Sequence, residues 1–122
     1  MAGHTVLVVD DNVDGCRSLA SLLELDGHRV LTAFDGRGAI QIARRELPRV
    51  LIIDLSLPDL PGEDVAHALR AEPGLSASRF IALSGRELQA DTPADFDAVL
   101  LKPASLEALL ATFPAPDAGP LD

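Results

Sequence analysis

The 122-residue chain is long enough for one domain with a single core and too short for two. A net charge of −9 disfavours nucleic acid as a direct partner, and the absence of Trp and Tyr removes the usual aromatic platforms for flavins or single-stranded bases. Its one cysteine, Cys16, excludes an internal disulfide and fits a reducing compartment, while no apolar segment reaches membrane-spanning length.

Thr5 to Val9 is an apolar run that ends in Asp10-Asp11, and it reads as a first strand. Cys16, Leu19, Ala20 and Leu23 then recur on one face of a helix, with Asp14 placed to cap its start and Gly27 to stop it. Arg29 to Phe34 predicts a short strand, and Ile40, Ala43 and Leu47 predict the buried side of a second helix that must finish before Pro48. Val50 to Asp54 is the most telling stretch: four consecutive large aliphatics imply a strand buried on both faces, yet it stops on a carboxylate. A stiff loop, Leu57 to Gly62, leads to a third helix marked by Val65, Ala68 and Leu69 and closed by Glu72-Pro73-Gly74. Phe80 to Leu83 is a strand ending at Ser84-Gly85, and Ala98 to Leu101 another ending at Lys102-Pro103. Leu106, Leu109, Leu110 and Phe113 form the stripe of a last helix. Residues 1–113 therefore make one domain, and 114–122, with three prolines, a tail or linker. The N-terminus lacks the basic start and long apolar block of a secretory signal, so a cytoplasmic location is expected.

Strands alternate with helices, which predicts a flavodoxin-like, doubly wound, five-stranded parallel sheet in the order 2-1-3-4-5 with helices on both faces. In such sheets chemistry collects outside the carboxyl ends of the strands. Four strands here hand over to polar residues at that edge, namely Asp10-Asp11, Asp54, Ser84 and Lys102. Three carboxylates beside one ammonium leave about two negative charges, at a cost of roughly 4 kcal/mol per pair 4 Å apart at an effective dielectric of 20. A divalent cation relieves that repulsion, and hard oxygen ligands in a partly wet site suit Mg²⁺. An ionised Asp54 is a competent nucleophile toward phosphorus. Lys102 and Mg²⁺ would neutralise the incoming phosphoryl oxygens, and the Ser84 hydroxyl would donate to them.

Val8-Val9-Asp10-Asp11-Asn12, Asp54 with Pro58 and Gly62 downstream, Ser84-Gly85 and Lys102-Pro103 together resemble the response-regulator receiver domains of bacterial two-component systems. The resemblance runs from residue 5 to 113. It implies that Asp54 takes a phosphoryl group from a phosphohistidine on a histidine kinase or histidine phosphotransfer domain. It also implies metal ligation by Asp10, Asp11, Asp54 and the backbone carbonyl of Ser56, a switch hydroxyl on Ser84, a phosphate-pairing Lys102 and a cis Lys102–Pro103 peptide. Ser56 and Arg86 stand where such domains tune the access of water to the acyl phosphate. Such a domain promotes its own phosphorylation and dephosphorylation without turning over a separate substrate, and contacts neither nucleic acid nor membrane directly; a monomer or weak dimer is expected.

Two departures from the family pattern stand out. Val99 occupies the position of the usual aromatic switch residue, and the segment between Ser84 and Lys102 is short and interrupted by Pro93, so the fourth of five expected helices should be shortened or irregular. These features favour an alternative in which a degenerate receiver acts only as a phosphorylation-independent interaction module. A nucleotide-binding protein of the same fold class would present a Gly/Ser/Thr-rich loop after the first strand, where this chain has Asp10-Asp11-Asn12, which repels a bare phosphate. Taken singly, the acidic pair reads as a solvated loop or helix cap, and Ser84 and Lys102 as ordinary strand-end residues. His4, His28 and His67 lack metal spacing and read as surface or helix-end residues, and Cys16 as a packing residue.

Overall fold

The computed structural model describes residues 3–85 and 92–114. Five parallel strands, β1 (Thr5–Val9), β2 (Arg29–Ala33), β3 (Val50–Asp54), β4 (Arg79–Ser84) and β5 (Ala98–Leu101), form one sheet in the order β2-β1-β3-β4-β5. Helices α1 (Val13–Leu25), α2 (Gly36–Glu46), α3 (Gly62–Arg70) and α4 (Leu106–Ala111) cover it, and a short 3-10 turn at Pro73–Leu75 precedes β4. The sheet order, the parallel pairing and the two-sided cover are those expected from the sequence.

Side-chain alternation divides the core into two layers. Leu7, Val9, Leu51, Ile53, Phe80 and Ala82 pack with Ala39, Ala43, Val65 and Leu69 of α2 and α3. Val6, Val8, Val50, Ile52, Ile81 and Leu83 pack with Cys16 and Leu23 of α1 and Leu109 of α4. Every residue of β3 is buried, because helices lie over both faces of the central strand. Cys16 sits on the inner face of α1, as expected, where burial pushes its thiol up to about 11.

Several local expectations are corrected. Asn12, not Asp14, caps α1: its backbone is extended and its Oδ1 accepts from the amide of Gly15 at 2.9 Å, leaving Asp14 in the first turn. Gly27, at φ +97°, takes the left-handed position just past the helix, which is the role assigned to it. β2 ends at Ala33, one residue before Phe34. Leu47 does not line the core. Pro48 disfavours a helical residue before it, so Leu47 adopts a left-handed conformation, is 50% exposed, and lies against Gly74. In α3, Ala66 is buried in place of Ala68, which is only half-buried.

The histidine expectation holds for His67, which is exposed, and for His28, which stands just past α1 with its amide on the carbonyl of Leu23, and fails for His4, which is buried. The parallel register sets Thr5 opposite Arg29, bringing the neighbouring His4 and His28 together. Their rings stack at 5.7 Å, both meet Phe113 edge-on, and the His4 amide donates to His28 Nδ1 at 3.0 Å. His4 is only 7% exposed, and its Nε2 lies 3.2 Å from the carbonyl of Pro114.

The expected shortened or irregular fourth helix falls largely on 86–91, outside the described residues, as do Arg86 and the tail from 115 to 122. Residues 92–97 are described and form turns and bends rather than helix. Arg70 holds this segment in place: its guanidinium lies 4.2 Å from the ring centre of Phe80 and donates to the carbonyl of Asp95 and to Asp97 Oδ2. Asp97 Oδ2 also accepts from the amide of Phe80 at 2.8 Å. Burial works against the Asp97 carboxylate, but the Phe80 amide, the Arg70 hydrogen bond and the nearby positive charge outweigh it and hold the group below the usual carboxylate range. A carboxyl so depressed contributes stability that is fully present above its unfolded value and is lost as pH falls through its folded value. Asp97→Asn is therefore expected to cost about 1–2 kcal/mol at neutral pH and to flatten the loss of stability below about pH 4, measured by urea unfolding as a function of pH.

Candidate functional site

The register aligns the strand ends. Val9 lies opposite Ile53, Asp54 opposite Leu83, and Ser84 opposite Leu101. Asp10, Asp54, Ser84 and Lys102 thus emerge at one edge of the sheet, although they are scattered over most of the sequence. Asp10, Asp54 and Ser84 are buried there, Asp54 with 4% exposure, while Asp11 is exposed.

Lys102 joins two of the acids: its Nζ donates to Asp10 Oδ2 at 3.0 Å and to Asp54 Oδ2 at 2.9 Å. The second oxygen of each acid takes a backbone amide, Asp10 Oδ1 from Asn12 at 3.0 Å and Asp54 Oδ1 from Ser56 at 2.8 Å. Every oxygen of the two buried carboxylates therefore has a hydrogen-bond partner, which makes their burial tolerable, and each keeps a lone pair for a further ligand. Burial opposes the charge on Lys102, yet its hydrogen bonds to Asp54 and Asp10 and their attraction prevail, raising the ammonium above the usual lysine value. The backbone reinforces the arrangement, because the Lys102 amide donates to the carbonyl of Ser84 at 2.8 Å. The Lys102–Pro103 peptide is cis, as expected.

Asp10, Asp11 and Asp54 each offer a carboxylate oxygen within 4.8 Å of the others. One ammonium cannot balance three carboxylates, and the donors are all hard oxygens, so the cluster fits a hard divalent cation. A cleft of about 230 Å³ opens beside it, lined by Asp10, Asn12 and Lys102 and by apolar Leu19, Leu83 and Leu109.

The loop after β3 is folded tightly against the site. Ser56 bridges to Pro61, and the Gly62 amide donates to the carbonyl of Leu55. A Cβ on Gly62 would lie 2.5 Å from the Asp54 carbonyl oxygen and 2.8 Å from the Leu55 Cα, both rigid backbone atoms. Gly62→Ala is accordingly expected to destabilise the fold by about 2 kcal/mol or more and to displace the Asp54 loop, as read by chemical denaturation and by backbone amide shifts.

Sequence reasoning placed Asp10, Asp11, Asp54, Ser84 and Lys102 at one edge, and the structure brings them there. It missed Asp59, whose two oxygens accept from the amides of Gly36 and Arg37 at the start of α2 (2.7 and 3.0 Å). The one available signal was an acid in the rigid Leu57-Pro58-Asp59-Leu60-Pro61 loop. Its partners, more than 20 residues away, were not legible. Val99 lies half-buried in β5 and packs against the α2–α3 layer.

A family model described as the response regulator receiver domain matches residues 6–113. The chain is 41% identical over 105 residues to the probable transcriptional regulatory protein TcrX of Mycobacterium tuberculosis, covering 84% of this chain and 45% of that protein. It is 31% identical over 121 residues to protein PilH of Pseudomonas aeruginosa, covering 93% and 98%. The chain spans about half the length of TcrX and of the other first curated relatives it matches. Among solved structures, a response regulator protein from Burkholderia pseudomallei, with a phosphorylated aspartic acid, calcium ion and citrate, aligns with a TM-score of 0.82 at 28% identity, over 90% of this chain and 66% of that one. With the five-stranded order, the converging acids and the family match all in agreement, this chain belongs to the response regulator receiver domains of two-component systems.

Proposed function

We propose that Asp54 is the phosphoacceptor, receiving a phosphoryl group from a phosphohistidine on a histidine kinase or phosphotransfer partner. The observation that carries this reading is the Asp54 carboxylate itself, buried at the sheet edge, sharing Lys102 with Asp10, and gathered with Asp10 and Asp11 into one cluster. In the transfer, an Asp54 oxygen forms a bond to phosphorus while the phosphorus–nitrogen bond to the imidazole breaks. The electron pair and a proton stay with the departing histidine.

Asp10, Asp11, Asp54 and the backbone carbonyl of Ser56 would hold Mg²⁺, whose charge offsets the surplus of carboxylates and the phosphoryl oxygens when it is bound. Lys102 pairs with the phosphoryl oxygens, exchanging part of its hold on Asp54 for them. Ser84 supplies a hydroxyl donor from the end of the adjacent strand. The reaction modifies the domain itself, so no separate substrate is turned over. The domain acts in the cytoplasm as a monomer or weak dimer, and its acidic surface keeps it from direct contact with nucleic acid.

The test uses a small acyl-phosphate donor with and without Mg²⁺, followed by intact mass. One Mg²⁺-dependent phosphoryl group per chain, released by hydroxylamine, is the expected result. No incorporation under any condition would overturn the reading and point instead to a phosphorylation-independent interaction module.

A further inference from the structure

The segment between Asp54 and α3 is pinned at two places. Near the site, Gly62 closes on the backbone of Asp54 and Leu55, and Ser56 bridges to Pro61. At the far side of the loop, the Asp59 carboxylate sits on the first two amides of α2, Gly36 and Arg37. Those amides have no intrahelical partners, and the positive end of the helix favours a carboxylate. The fit is close: a Cβ on Gly36 would lie 3.0 Å from Leu60 Cβ and 3.1 Å from Asp59 Oδ1, so the helix start and the loop are in direct contact. Helix α2 already has its own cap, since Asp35 Oδ1 accepts from the Gly38 amide at 2.7 Å. Asp59 is thus a second acid at that end, reaching over from another part of the chain. The Gly36 amide does most to hold its carboxyl below the usual carboxylate range, so the bridge stays charged at neutral pH.

We infer that Asp59 is a positioning residue for phosphorylation: by anchoring the loop to α2 it fixes Ser56, whose amide bonds Asp54 and whose carbonyl is a proposed ligand, against the acidic cluster. This inference rests on the function proposed above. Between the two pins the chain carries Ser56, Leu57 and Pro58. With Asp59 released, the Ser56–Pro61 bridge, the bond of the Ser56 amide to Asp54, the Gly62 contacts and the packing of Leu57 would remain, and the loop would lose its anchor on the α2 side. A loop that must order before a cation can bind lowers the apparent affinity by the fraction of time it is misplaced.

The experiment compares wild type, Asp59→Ala, Asp59→Asn and Asp35→Ala at physiological ionic strength. Mg²⁺ affinity is measured by calorimetry, hydrogen exchange on the metal-free proteins, and melting temperature on each. Asp59→Ala is expected to weaken Mg²⁺ about five- to tenfold and to speed exchange at Ser56, Leu57 and Leu60 without metal. Asp59→Asn loses the charge but keeps an oxygen for the Gly36 amide, so a weakening of only about twofold is expected. Asp35→Ala removes a cap on α2 without touching the loop; its melting temperature should fall by about 3–6 °C while its Mg²⁺ affinity stays at the wild-type value.

Three results would overturn the inference. One is an Asp59→Ala protein that only melts earlier, with Mg²⁺ affinity and loop exchange unchanged. Another is an Asp59→Asn protein as impaired as Asp59→Ala, which would make the effect one of charge alone. The third is an Asp35→Ala protein that loses Mg²⁺ equally, which would trace the effect to α2 stability. Failure of the wild type to bind Mg²⁺ would count against the proposed function, whereas loop exchange in the metal-free variants decides the role of Asp59 independently.

Discussion

Asp54→Asn is expected to abolish phosphoryl incorporation from a small acyl-phosphate donor, lowering the rate by at least about 10³-fold, while the domain stays folded. The substitution keeps the shape of the side chain but removes its charge and nucleophilic oxygen. Its effect on stability should be small because two terms oppose. Asp54 uses one oxygen on Lys102 and the other on the Ser56 amide, and Asn keeps only one acceptor. That loss costs about 1–2 kcal/mol. Against it, one negative charge leaves a cluster of three carboxylates held by a single ammonium, relieving repulsion of comparable size. Intact mass after incubation with donor and Mg²⁺ checks the first expectation, and urea unfolding the second. Phosphoryl incorporation at undiminished rate would assign the acceptor to another residue.

Lys102→Ala should separate Mg²⁺ binding from phosphoryl transfer. Lys102 bridges Asp10 and Asp54, both buried, and its loss leaves two carboxylates without their cation. In the absence of metal the protein should lose about 2–3 kcal/mol, less than for a fully dry pair because the lysine side chain is one-third exposed. The same change removes a positive charge that opposes any incoming cation, so Mg²⁺ should bind the variant more tightly and restore part of the lost stability. Transfer to Asp54 should nevertheless slow by about 10²-fold, because nothing replaces the ammonium at the phosphoryl oxygens. Calorimetry for Mg²⁺ and a time course of incorporation measure the two halves. Weaker Mg²⁺ binding together with an unchanged rate would show that Lys102 has no part in the transfer.

The strand ends were legible because they need only local information plus one topological rule. An apolar run identifies a buried strand, the residue after it is read directly, and parallel strands present those residues at a common edge. Asp10, Asp54, Ser84 and Lys102 needed nothing more, and the family resemblance added the cis peptide. Neighbouring features were misread for equally physical reasons. Asn12 and Asp14 are both good capping residues two positions apart, and only the extended backbone at Asn12 settles which one serves. Leu47 fits the spacing of the α2 stripe, but the restriction imposed by Pro48 turns its backbone away from the helix first. His4 and His28 each look like isolated polar residues until the β1–β2 register sets them side by side.

By itself, then, the amino-acid order determined the five strands, the layered sheet and the polar residues at its edge, because periodicity and strand endings act within a few residues. Only the tertiary structure decided which partner each carboxylate takes: Lys102 across the buried Asp10 and Asp54, Asp97 on the amide of Phe80, Asp59 on the start of α2. Hydrogen bonds are made over about 3 Å, and whether two groups 17 to 92 residues apart in the chain come that close depends on register and helix packing, which no local pattern encodes.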